Sequence, residues 1–186
     1  WVCNGLLRDW VSWQTNARFA DRFASLVACL KTLSPDPLPL LPGEPTRLPQ
    51  DSRDVPTLKL PYGEVPVVHA SAGVQRVVSL CYVMVWAWHE HLMHSDIVRR
   101  EPQRRLVLLV DEAEAHLHPR WQRAIVPGLM ESIQELSSAL TPQIHLATHS
   151  PMVMASAEPI FDDDTDAVHH LKLVDREVKL EELPFI

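Results

Sequence analysis

Leu106-Val107-Leu108-Leu109-Val110-Asp111-Glu112 is an uninterrupted apolar run that ends abruptly in two carboxylates. A continuous run of this length, without the alternation of a half-buried strand, is expected for a parallel strand covered on both faces. In open parallel sheets ligands bind beyond the carboxyl ends of the strands, which puts Asp111 and Glu112 where a substrate would sit. Two adjacent carboxylates there can divide roles, one holding Mg2+ through oxygen or water and the other taking a proton from an attacking water. The same pair also reads as the solvated start of a loop.

Downstream, a helix opens at Pro119, a favoured first-turn residue, and is expected to kink or divide at Pro127-Gly128 before running on to about Ala139. Gln143 to Ala147 reads as a second strand, followed at once by Thr148-His149-Ser150-Pro151. A histidine at the end of a neighbouring strand can donate to a phosphate oxygen or orient water; it can also be a plain loop residue before the helix that Pro151 starts. Val168 to Val174 and Glu177 to Leu183 look like a closing hairpin. Upstream, Ala70-Ser71-Ala72-Gly73-Val74-Gln75-Arg76 is a small-residue turn opening a helix that reaches about His94. Its N-terminal N–H groups and Gly73 suit close approach of a phosphate, and Ser71 alone suits ordinary capping.

Before that helix, Thr57 to Leu60 and Val65 to His69 flank the turn signal Pro61-Tyr62-Gly63-Glu64 and suggest a short edge hairpin. Pro35, Pro37, Pro39, Pro42, Pro45, Pro49 and Pro56 mark a linker or lid hostile to regular elements, and Gly5 to about Leu33 has the periodicity of one long amphipathic helix. The sixteen prolines, about 9% of 186 residues, are nearly twice the usual ~5%. Strands alternating with helices predict an α/β fold with a mostly parallel sheet flanked by helices.

The remaining composition excludes several classes. The formal charge of −7 gives no global basic face for nucleic acid or an anionic membrane. The most apolar window, Val77 to Trp88, is shorter than the ~18 residues needed to span a bilayer. Cys3, Cys29 and Cys81 form no Cys-x-x-Cys pattern, as expected of reduced thiols in a cytoplasmic protein. His89-Glu90-His91-Leu92-Met93-His94 fails the zincin spacing because Met93 stands where the second histidine is needed; His91 and His94 share a helix face, which leaves a weak metal site or a solvated helix end. Arg99, Arg100, Arg104 and Arg105 read as a solvated loop or a local nucleic-acid contact, and the Asp162 to Asp166 run as a turn or a cation site.

In order and spacing, these segments resemble the C-terminal part of an ATP-binding-cassette ATPase, in the non-transporter, AAA-type branch that includes RecF, SMC and OLD-type proteins. Ser71-Ala72-Gly73-Val74-Gln75 resembles the signature motif, Leu106 to Glu112 the Walker B strand, Ala115-His116-Leu117-His118-Pro119 the D-loop region, and His149 the switch histidine. The resemblance covers roughly Val65 to Ile186. It implies a P-loop NTPase-like lobe over residues 57–186, preceded by a helical insert and lid over residues 1–56. It further implies that Asp111 helps hold Mg2+, that Glu112 is the general base, and that His149 contacts the γ-phosphate. Ser71, Ala72, Gly73 and Gln75, with His116, would then bind nucleotide, Ser71 and the Gly73 amide reaching the ATP held by a partner in a head-to-head dimer.

Two departures stand out. Val74 replaces the polar residue usual in transporter signatures. No G-x-x-x-x-G-K-[S/T] phosphate loop occurs, and Gly5, Gly43, Gly63, Gly73 and Gly128 cannot supply one. The resemblance places that loop upstream of Trp1, so the expectation is a truncated or split product whose partners are a second copy or a related ATPase subunit, with an effector protein or DNA engaged through other regions. The expected activity is ATP hydrolysis with ATP and Mg2+, conditional on that loop. The alternatives are a non-catalytic lobe that dimerises with a complete ATPase, and a histidine-based metalloprotein.

Overall fold

The computed structural model describes residues 4–35, 38–49 and 51–184; Cys3 and Pro37 lie outside these. Helix α1 (Asn4–Thr15) and helix α2 (Ala20–Thr32) replace the single long helix expected from periodicity, separated by a 3-10 turn at Ala17–Phe19. The break has a local cause. Asn16 takes extended backbone and its side chain accepts a hydrogen bond from the Arg18 N–H, an alternative to helix continuation that asparagine favours.

In the proline-rich stretch regular structure shrinks to two-residue strands: β1 (Leu41–Pro42), β2 (Thr46–Arg47) and β3 (Asp54–Val55), with β2 and β3 paired antiparallel. Strands β4 (Thr57–Leu60) and β5 (Gly63–Pro66) form the expected hairpin, its turn closed at Gly63 with φ of 130°, a conformation that side chains other than hydrogen resist. β1 joins the far side of β4, so Pro66 sits on the edge strand. The residues expected to extend this strand, Val67–His69, instead form a 3-10 turn that leads into α3 (Ala72–Ile97). Ser71 caps α3, its side chain accepting from the Val74 N–H at 3.4 Å.

Strand β6 (Arg105–Val110) pairs in parallel with β7 (Thr141–Leu146), Val110 opposite Leu146. Between them lie α4 (Pro119–Gln122) and α5 (Ile125–Leu136). The helix divides at Arg123-Ala124, earlier than expected. Pro127 is the third residue of α5, where no intrahelical N–H partner is required, and Gly128 packs against Leu33, a Cβ there meeting Leu33 Cδ2 at 3.0 Å. Helix α6 (Pro151–Ala157) follows β7, and β8 (Val168–Val174) and β9 (Glu177–Leu183) close the chain as the expected hairpin.

The fold is thus α/β, but the expectation of a mostly parallel sheet needs correction: among the described residues parallel pairing is confined to β6 and β7, and the other three sheets are antiparallel. Coverage on both faces also fails. Leu106, Leu108 and Val110 join the core, whereas Val107 is 59% and Leu109 74% exposed. One layer of helices covers one face, which is why an apolar run that reads as fully buried is only half so. The core is continuous from Leu6 and Trp10 of α1 through Leu26, Leu30, Val77, Val78, Leu129 and Ile133 to Val153 of α6. α2 packs on both α3 and α5, and Trp121 Nε1 donates to the Leu33 carbonyl at 2.8 Å, tying the end of α2 to α4.

Candidate functional site

Parallel pairing of β6 and β7 brings their C-terminal ends side by side, and so places the loop from Asp111 beside the loop from Thr148. The Ala147 N–H donates to the Val110 carbonyl at 2.8 Å, and the Ala113 N–H to the Ala147 carbonyl at 3.4 Å. Asp111, Glu112 and His149 are all exposed at this end of the sheet. Glu112 has a φ of 48° and His116 a φ of 63°, left-handed conformations that cost residues with a Cβ about 1–3 kcal/mol and cluster at functional sites.

The turn from Asp111 to Pro119 is held from two sides. From α3, Arg76 donates through Nη2 to the backbone carbonyls of both Asp111 (2.8 Å) and Glu112 (2.9 Å). A charged donor shared by two carbonyls fixes the strand end where Glu112 takes its unusual backbone. Gly73 is buried against the same turn: a Cβ built on it would lie 2.5 Å from the His116 carbonyl oxygen. The glycine read from sequence as a close approach to phosphate also makes a close approach within its own chain. Ser71 and Ala72 remain exposed at the α3 N-terminus, while Gln75 turns back, its amide donating to the Val68 and Ala70 carbonyls at 3.0 Å each. His116 is exposed, and His118 Nδ1 accepts from the Arg120 N–H to cap α4.

The opposite side of the turn carries a residue to which sequence reading gave no role. Glu114 is buried, its side chain 9% exposed, yet it accepts hydrogen bonds from two groups of the neighbouring loop and lies against a third. Its Oε1 accepts from the His149 backbone N–H at 2.9 Å and faces His149 Nδ1 at 2.7 Å; its Oε2 accepts from Thr148 Oγ1. Burial pushes the Glu114 carboxyl up, but the hydrogen bonds from Thr148 and from the His149 and Glu114 N–H groups, with the nearby His149 ring, outweigh it and hold the carboxyl below its usual range. Thr148 Oγ1 also accepts from the Ser150 N–H, and Ser150 Oγ donates to Gln122, whose amide donates to the Leu117 carbonyl. The signal was thin: Glu114 and His149 are 35 positions apart, and only the alignment of two strand ends makes them neighbours.

The other candidate groups are occupied elsewhere. His91 Nε2 accepts from the Gln103 N–H, and His89 lies 3.4 Å from Ser25 Oγ. The Asp162 to Asp166 run folds into a turn closed by Asp162 and Asp166. Among the described residues no three His, Cys, Asp or Glu side chains gather around a common point, and no helix is long and apolar enough to cross a membrane. A hollow of about 200 Å³ between α1 and β3, lined by Leu7, Val11, Arg53 and Val55 among others, shares no residue with the strand-end cluster.

Comparison with known proteins places this segment in a family. Residues 62–155, just over half of the chain, match the family described as "AAA domain, putative AbiEii toxin, Type IV TA system". Fifty residues, 27% of the chain, are 38% identical to the "Retron Vc95 probable ATPase" of Vibrio cholerae serotype O1 biovar El Tor; they span 9% of that protein. The fold is similar to that in "Structural biochemistry of ATP-driven dimerization and DNA stimulated activation of SMC ATPases", with a TM-score of 0.56 and 17% identity, covering 90% of this chain and 86% of that one. A second similar structure is "Crystal structure of the SmcHead bound to the C-winged helix domain of ScpA", with a TM-score of 0.52 and 17% identity over 93% of this chain and 48% of that one. At this identity the likeness is one of fold, here an α/β one.

Proposed function

The chain belongs to the AAA-domain family that matches its residues 62–155, and from that premise we propose that it is the Walker B and switch-histidine lobe of an ATP-hydrolysing head. The observation that carries the reading is the convergence of Asp111, Glu112 and His149 on one end of a parallel strand pair.

In this reading residues 57–186 are the ATPase lobe and residues 1–56 its helical insert. The phosphate loop is supplied by residues outside this sequence, since none of its glycines forms one. The exposed Asp111 carboxylate fits Mg2+, which takes one or two carboxylate oxygens and otherwise keeps water. Bound there, the ion would neutralise charge on the phosphates. Glu112, freely exposed beside it, orients and deprotonates the attacking water, and His149 reaches a γ-phosphate oxygen. Ser71 and Ala72, exposed at the start of α3, face a nucleotide held by a second copy or a related subunit, giving a composite site; Gly73, Gln75 and His116 shape that surface through their backbone and packing. The work of such a site is positioning and charge stabilisation, which suits a cluster held by backbone hydrogen bonds from several elements.

The test is hydrolysis by the native protein that contains these residues. Glu112→Gln is expected to lower turnover by about 10²- to 10⁴-fold while ATP binding persists. Unchanged turnover would reject the catalytic reading and leave the second one, a lobe that only pairs with a complete ATPase.

A further inference from the structure

We propose that Glu114 is a positioning residue for His149, holding the imidazole with Nδ1–H toward its own carboxylate so that Nε2 faces out from the strand ends. The contrast in exposure carries the argument: the Glu114 side chain is 9% exposed and that of His149 83%, with Oε1 2.7 Å from Nδ1. The same Oε1 accepts the His149 backbone N–H, and Oε2 is fixed by Thr148, so the carboxylate has no freedom to turn away. An exposed ring on a loop samples many rotamers; one whose Nδ1 lies 2.7 Å from a buried carboxylate, itself held by the His149 N–H and by Thr148, samples fewer.

The consequence is chemical. With Nδ1–H given to Glu114, the nitrogen left for a ligand is Nε2, and an imidazole that donates from both nitrogens, one to Glu114 and one to a phosphate oxygen, is an imidazolium. Glu114 then supplies the counter-charge from inside the fold. This rests on the reading of His149 as the phosphate contact, and the experiment separates the two.

Nitrogen-15 NMR of the His149 ring in the native protein that contains these residues reads the tautomer without nucleotide. Wild type is expected to carry the neutral-ring proton on Nδ1, and Glu114→Ala to revert to the Nε2–H form that a free histidine side chain prefers. Glu114→Gln keeps an oxygen for both His149 N–H groups and is expected to retain Nδ1–H. An Nε2–H ring in wild type overturns the inference even if Glu114→Ala does not fold. In the native ATPase, Glu114→Ala and Glu114→Gln are expected to lower kcat roughly 10- to 100-fold with little change in KM. Turnover that depends on His149 but ignores Glu114 overturns the positioning role alone; an Nδ1–H ring in a protein without turnover supports the positioning and overturns the ATPase reading alone.

Discussion

At the scale of single residues, two small changes test how the cluster is built. Gly73→Ala places a Cβ 2.5 Å from the His116 carbonyl oxygen, and backbone cannot swing aside as a side chain can. The variant is expected to lose about 1–3 kcal/mol, a fall of several degrees in Tm by calorimetry. An unchanged Tm would mean that α3 and the Asp111 to Pro119 turn are less tightly apposed than described. Glu114 makes a pH prediction. Its carboxyl is held below the ordinary value of 4.5 in the folded chain, so its stabilisation is complete above that value and is lost as pH falls through the lower native one. Denaturant midpoints followed from about pH 6 to pH 3 should therefore fall more steeply in wild type than in Glu114→Gln. The placement of Asp111, Glu112 and His149 beyond two paired strands was legible in the sequence because each follows an apolar run. Glu114 was not, because its partners come from a loop 35 positions away and nothing in Glu-Ala-His-Leu-His-Pro marks one carboxylate as buried.

At the scale of elements, Arg76 is the link between α3 and the end of β6. Removing it leaves the Asp111 and Glu112 carbonyls without their charged donor and Glu112 without its brace in a left-handed conformation. Arg76→Met, which keeps the stem, is expected to cost about 1–3 kcal/mol in urea unfolding and to reduce ATP turnover further than that loss explains. Equal turnover in the folded variant would make the brace structural only. Elements with strong punctuation were read well: Ser71 starts α3, Pro151 starts α6, and the β8–β9 hairpin has the expected limits. Errors arose where local chemistry overrode periodicity. Asn16 divides one apparent helix into two, and Pro127, harmless in a first turn, does not divide the next one.

At the scale of the whole molecule, the alternation of strands and helices indicated an α/β fold but not how much of a parallel sheet these residues supply. An apolar run such as Leu106 to Val110 looks the same whether one face or both are covered, and here Val107 and Leu109 are bare. The core beneath is well sealed. Burial, reinforced by Glu135, pushes the Cys29 thiol up to about 12, and burial pushes Cys81 well above its usual value. In a Cys3→Ser background both thiols are expected to resist a thiol reagent at neutral pH and to label only at the rate of global unfolding. Rapid labelling of the native chain would show the α2–α3 interface opening locally.

The most direct measurement is steady-state ATP turnover by the native protein that includes these 186 residues, with wild type, Glu112→Gln and His149→Ala compared alongside nucleotide binding. Turnover in wild type that falls about 10²-fold or more in Glu112→Gln, with ATP still bound, is the predicted result. Turnover unchanged by both substitutions would contradict the assignment of the strand-end cluster as the hydrolytic site.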